Sequence, residues 1–139
     1  MDWKLEVIII PVSDVDRAKA FYADAAGFTL DVDRQINDNF RVVQFTPPGS
    51  ACSVTFGQGL TGVAPGSAQG MHLMVADVEA ACAELVSRGV EVEEIHHFGP
   101  SGRVPGPHPE HNDYETFSSF SDPDGNTWML QERGWSASE

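Results

Sequence analysis

Five histidines and no activated nucleophile are the chemical raw material of this 139-residue chain. His72 lies in the alternating run Gly70-Met71-His72-Leu73-Met74-Val75, where a lone imidazole could act as general base or acid on anything within hydrogen-bond reach. His96 and His97 are adjacent, so a strand presents only one of them to a given face. His108 and His111 form a His-x-x-His pair with Glu110 and Glu115 close by, but in a stretch broken by glycine and proline. That spacing lacks the fixed geometry of a helical metal-binding pair. There is no glycine-rich phosphate cradle followed by lysine, no Gly-x-Ser-x-Gly elbow and no cysteine near a positive helix end. Nucleophilic catalysis therefore has no support.

The surroundings of these residues are those of an ordinary globular chain. Hydrophobic residues make up 41% and charged residues 21%, and the length suits one domain with a core that needs no disulfide or structural metal. Eight basic and 21 acidic residues give a net charge of −13, a field that repels phosphate backbones and anionic lipid, so neither nucleic acid nor a membrane surface is an expected partner. Cys52 and Cys82 have no C-x-x-C spacing and are expected as buried thiols. No apolar run approaches the ~20 residues of a membrane span and no charged-then-apolar leader opens the sequence, so the cytoplasm is the expected location.

A repeat organises the chain. Val12-Ser13-Asp14-Val15-Asp16-Arg17-Ala18 matches Val75-Ala76-Asp77-Val78-Glu79-Ala80-Ala81, each with an apolar run before it and a helical pattern after it. Asp14 and Asp77 are placed as helix N-caps, and Gly27 and Gly89 as the left-handed residues that end those helices. Val15, Ala18, Phe21, Tyr22 and Val78, Ala81, Cys82, Leu85 give each helix one buried stripe. The halves also end alike: Pro47-Pro48-Gly49-Ser50-Ala51-Cys52-Ser53-Val54 aligns with Pro123-Asp124-Gly125-Asn126-Thr127-Trp128-Met129-Leu130, a turn feeding an alternating strand. One more strand per half is expected over Phe28 to Arg34 and Val90 to His97, giving two βαβββ units of an α+β fold. Unit one spans about 3–57, a linker about 58–69 and unit two about 70–133. The symmetry breaks at about 98–114, a long Gly/Pro-rich loop read as a lid or a surface excursion.

These segments resemble the vicinal oxygen chelate superfamily, which includes glyoxalase I, extradiol dioxygenases, fosfomycin-resistance enzymes and bleomycin-binding proteins. Val12 to Tyr22 is similar to that family's first strand-to-helix junction and Asp122-Pro123-Asp124-Gly125-Asn126 to its closing turn. The resemblance implies curved mixed sheets forming a half-barrel, helices on the convex side, a ligand in a central cavity on the concave side, and a homodimer. Strand parity on that fold turns Val7, Ile9, Gly70, His72 and Met74 toward the ligand, together with Ser53, Thr55, Met129 and Gln131. His97 joins them if its strand ends pointing at the long loop. Trp128 falls on the helix side and is expected in the core, whereas Trp3 and Trp135 flank the outer strands and suit a dimer seam or a ligand.

Metal-dependent relatives place His or Glu at positions that hold Val7, Ser53, Gly70 and Met129 here, so the expected metal and cofactor content is none. A displaced site through His72 and Gln131 would rely on an amide, a poor ligand for transition metals. Two functions stand side by side. One is a metal-independent protein that binds a small hydrophobic or aromatic molecule, as a sequestration or resistance protein would. The other is a glyoxalase-like lyase, isomerase or dioxygenase, metal-free with His72 as the catalytic residue or using displaced ligands.

Overall fold

A computed structural model describes residues 1–137, and they form two compact units. The first comprises Met1–Gln69 with Asp122–Asn126; the second comprises Gly70–Ser121 and the chain from Thr127 onward. No helix among the described residues is long and apolar enough to cross a membrane.

The first unit runs β1 (Val7–Ile9), α1 (Val15–Ala20), a π-helical turn (Phe21–Ala25), β2 (Thr29–Asn37), β3 (Phe40–Thr46) and β4 (Ser53–Gln58). Its sheet has the order β1-β4-β3-β2, with β1 and β4 parallel and the other pairs antiparallel. The Asp14 carboxylate accepts from the Arg17 N–H at 3.0 Å, so α1 starts where the capping pattern predicts. It widens at Phe21, whose carbonyl accepts from Ala26 N–H, and Gly27 at φ +75 ends it. This turn delivers Tyr22, fully buried, onto the rings of Phe28, Phe45 and Phe56 at 5.6–6.3 Å. Each such ring contributes roughly 1.5–3 kcal/mol by burial, and that cluster is the unit's core.

The second unit runs β5 (Met71–Val75), α2 (Val78–Ser87), β6 (His96–Gly99), β7 (Gly102–Pro105), β8 (Phe117–Ser121) and β9 (Thr127–Glu132), in the sheet order β5-β9-β8-β6-β7. Asp77 caps α2 through the Ala80 N–H at 3.0 Å, and Gly89 at φ +86 follows it. Val78, Cys82 and Leu85 face Trp128 and Leu130 in a buried core, so Trp128 lies where parity put it. Burial pushes the Cys82 thiol up from its ordinary pKa. Cys52 is only partly buried, contrary to expectation.

Both units thus carry the βαβββ frame, and the second adds a strand. Residues 90–95 were expected to be strand but join no ladder, because the contact with β8 is limited to Glu93, whose N–H donates to Ser119 O and whose carbonyl accepts from Ser118 Oγ. Pairing begins at His96 and turns back at Gly99 to Gly102, so the first part of the stretch expected as a loop is the β6–β7 hairpin.

Candidate functional site

Each sheet has one face covered by its helix and one face that is open. On the first sheet the register Val7↔Ser53, Ile9↔Thr55 and Thr55↔Gln44 puts these residues side by side on the open face, with Thr46 and Val32. Val7 and Ile9 are 43% and 47% exposed. Ser53 Oγ and Thr46 Oγ1 share a hydrogen bond of 2.6 Å, and Thr46 also bonds to the Asp31 carboxylate. Thr55 Oγ1 donates to Val43 O at 2.9 Å, spending its proton inside the sheet. An ion-paired cluster of this unit lies on the other face. Arg41 grips both oxygens of Asp33 at 3.0–3.1 Å and Asp16 at 2.9 Å, while Lys19 meets Asp33 at 2.6 Å. Arg41 and then Lys19 pull the Asp33 pKa down to about 2, while Asp33 and then Asp16 push Arg41 up.

On the second sheet the register His72↔Met129 and Met74↔Gln131 gathers four expected residues on the open face. His72 Nδ1 lies 2.7 Å from Gly70 O. Since a carbonyl only accepts, Nδ1 carries the proton in the neutral ring and Nε2 keeps a free lone pair. Gln131 Nε2 is engaged by Tyr114 O at 3.0 Å. The pairing His96↔Phe117↔Gln131 puts His96, not His97, on this face, where it forms a cluster with Phe98 and Phe117 at ring distances of 5.5–5.8 Å. His97 is on the opposite face, bonded through Nδ1 to Gly106 O and set 5.7 Å from the His108 ring. The phase differs from expectation because the strand starts at His96, with no ladder over 90–95 to set it earlier.

Two loop histidines are committed elsewhere. His108 Nε2 lies 3.1 Å from Glu115, and its Nδ1 accepts from Glu110 N–H. His111 Nδ1 lies 2.8 Å from Oε2 of Glu132, a fully buried carboxylate whose Oε1 accepts from the Val78 N–H at the start of α2. Trp135 stacks on His111 at 3.7 Å. His111 holds a left-handed backbone at φ +51, a strained conformation that these two contacts stabilise. Sequence reasoning missed Glu132, although it shares strand parity with Trp128 and Leu130, which is the available signal for a core-facing acid.

The residues at the family's ligand positions do not fit a divalent cation. Val7 and Gly70 offer no donor, Met129 a thioether and Ser53 a hydroxyl already shared with Thr46. The ladders also correct the equivalence between the units: Thr55 opposes Ile9 as Met129 opposes His72, so Thr55 rather than Ser53 corresponds to Met129. Threonine brings no better donor. Among the described residues no three His, Cys, Asp or Glu side chains gather as a metal site. The first unit also holds a cleft of about 200 Å³ lined by Ile10, Pro11, Val12, Gly57 and residues 60–65, with no ionisable side chain in its walls.

A family model described as the Glyoxalase/Bleomycin resistance protein/Dioxygenase superfamily matches residues 4–130. No curated protein is a significant match. Among solved structures, an antibiotic-binding protein from Streptomyces sp. CB03234 is 33% identical, with 94% of this chain and 96% of that one covered and a TM-score of 0.73. A glyoxalase/bleomycin resistance protein from the same organism is 34% identical over 93% and 100% of the two chains, with a TM-score of 0.71. A member of the same superfamily from Sphaerobacter thermophilus DSM 20745 is 30% identical over 95% and 98%, with a TM-score of 0.73.

Proposed function

The chain belongs to the glyoxalase/bleomycin resistance protein/dioxygenase superfamily, and on that premise we propose that it is a metal-independent protein that binds a small hydrophobic or aromatic molecule on the open faces of its sheets. Sequestration or resistance is the role that fits. The observation that carries this reading is the chemistry of those faces. They offer Val7, Ile9, Met74 and Met129 with a few neutral hydrogen-bonding groups, and no donor stronger than a thioether or a bonded hydroxyl stands where relatives chelate a metal. The likeness to an antibiotic-binding protein at 33% identity supports it. The proposal includes a cytoplasmic homodimer; Trp3 and Leu5, exposed ahead of β1, are the apolar side chains that a second copy would cover.

Protein purified without chelator is expected to hold no stoichiometric metal, and EDTA is expected to leave the binding of the apolar probe N-phenyl-1-naphthylamine unchanged. One equivalent of a divalent ion whose removal abolishes probe binding would overturn the reading. A second function is favoured by one observation, the free Nε2 of His72 beside Met129 on the second sheet. That nitrogen could take a proton from a bound carbon or oxygen acid, as metal-free isomerase or lyase chemistry requires. On this reading His72→Ala lowers turnover by about a hundredfold; unchanged turnover removes His72 from any catalytic role.

A further inference from the structure

In a chain with net charge −13, a cation without an acid is conspicuous. Lys4, Arg17, Lys19, Arg41, Arg88 and Arg103 are ion-paired, and Arg133 lies over the Tyr114 ring. Arg34 is the remaining basic side chain, and among the described residues it has neither an acid nor a ring for a partner. Its place in the sheet is specific. A bulge between Leu30 and Val32 resets the phase of β2, so that Val32 opposes Gln44 and Arg34 opposes Val42. Gln44 in turn opposes Thr55, and Val42 opposes Gly57, which puts Arg34 on the open face beside Val32 and Val42, with Val7 and Ile9 across the same face on β1. The neighbouring Asp33 and Arg41 satisfy each other on the opposite face. The other acid of β2, Asp31, accepts from the Thr46 hydroxyl.

We infer that Arg34 recognises an acidic group on the ligand, so that the molecule bound is apolar or aromatic but carries a carboxylate, sulfonate or ionised phenol. This rests on the reading of the open face as the ligand surface. A guanidinium presents planar paired donors that match such an anion, and beside hydrocarbon neighbours the attraction is screened less than in open water. The surrounding negative field adds selectivity. It disfavours anions everywhere else on the molecule, so an acidic ligand is held only where this cation and the apolar wall coincide.

Two fluorescent probes differing only by a sulfonate test the inference: 8-anilino-1-naphthalenesulfonate and the neutral N-phenyl-1-naphthylamine. Arg34→Gln is expected to weaken the sulfonate probe about tenfold or more, so that added salt no longer weakens its binding, while the neutral probe shifts less than twofold. Arg34→Lys is expected to recover part of the loss. Ile9→Asp, which spoils the apolar wall, is expected to weaken both probes; circular dichroism confirms the fold of every variant. If Ile9→Asp affects neither probe, the ligand surface is elsewhere and the inference falls with that reading. Should the neutral probe respond to Ile9→Asp while the sulfonate probe ignores Arg34→Gln, the surface stands and the role of Arg34 falls alone. A change of oligomeric mass in Arg34→Gln without a change in either affinity would give the guanidinium to a subunit contact, and also overturn it.

Discussion

Helices α1 and α2 begin with the same aspartate cap and are then anchored by different chemistry. At α1, Ser13 donates to the Asp124 carboxylate through both its N–H and its hydroxyl, and Arg17 pairs with the same group. Asn126, fully buried, donates to Pro11 O and to Asp122, while Asp122 also accepts from the Tyr22 hydroxyl. At α2 the anchor is the single carboxylate of Glu132, shared between the Val78 N–H and His111. The first anchor spreads its load over many polar groups of a turn; the second concentrates it on one buried acid. Gln58, which the ladders make the counterpart of Glu132 in the first unit, is exposed.

Three measurements break or sharpen this contrast. Glu132→Ala strands a buried helix-terminal N–H and a largely buried imidazole, and is expected to cost about 3–5 kcal/mol in urea unfolding. Asn126→Ala removes donors to Pro11 and Asp122 and an acceptor for Ala68 N–H, and is expected to cost about 2–3 kcal/mol. A larger loss at Asn126 than at Glu132 would reverse the contrast. The caps themselves are expected to be equal: Asp14→Ala and Asp77→Ala should each cost about 1 kcal/mol and agree within about 0.5 kcal/mol.

The smallest effect is electrostatic and belongs to the first unit. The Asp33 pKa is lowered from 3.8 to about 2, so its contribution is complete above the unfolded value and is lost as pH falls from about 4 toward 2. Partial exposure of the Lys19 and Arg41 network holds the contribution to about 0.5–1 kcal/mol. The stability difference between the wild type and Asp33→Asn, followed by urea midpoint, is therefore expected to shrink over that interval and to vanish below pH 2. A difference independent of pH would place the effect in packing.

Much of the fold was legible because its signals are local. The caps, the terminating glycines and the helix stripes involve residues a few positions apart, and the alternation in β1, β5 and β9 assigned Val7, Ile9, His72, Met74, Met129, Gln131 and Trp128 to faces that the ladders reproduce. The illegible parts depend on pairing between distant segments. Residues 90–95 alternate like a strand yet join no ladder, so His96 and His97 exchange faces relative to expectation. The bulge at Asp31 is likewise invisible to simple alternation, and Arg34 went unnoticed with it. Glu132 reads as a surface acid until β9 and α2 are brought together.

By itself the sequence determined the duplicated βαβββ frame, the start of each helix and the residue types at the family's metal positions, since these are properties of short segments and of identity. Tertiary structure alone decided which charges meet. A strand's phase, and with it the face of every side chain, is set by hydrogen bonds to residues far away in the chain. That pairing spent Asp33 on Arg41, buried Glu132 against the end of α2 and left Arg34 without a partner among the described residues.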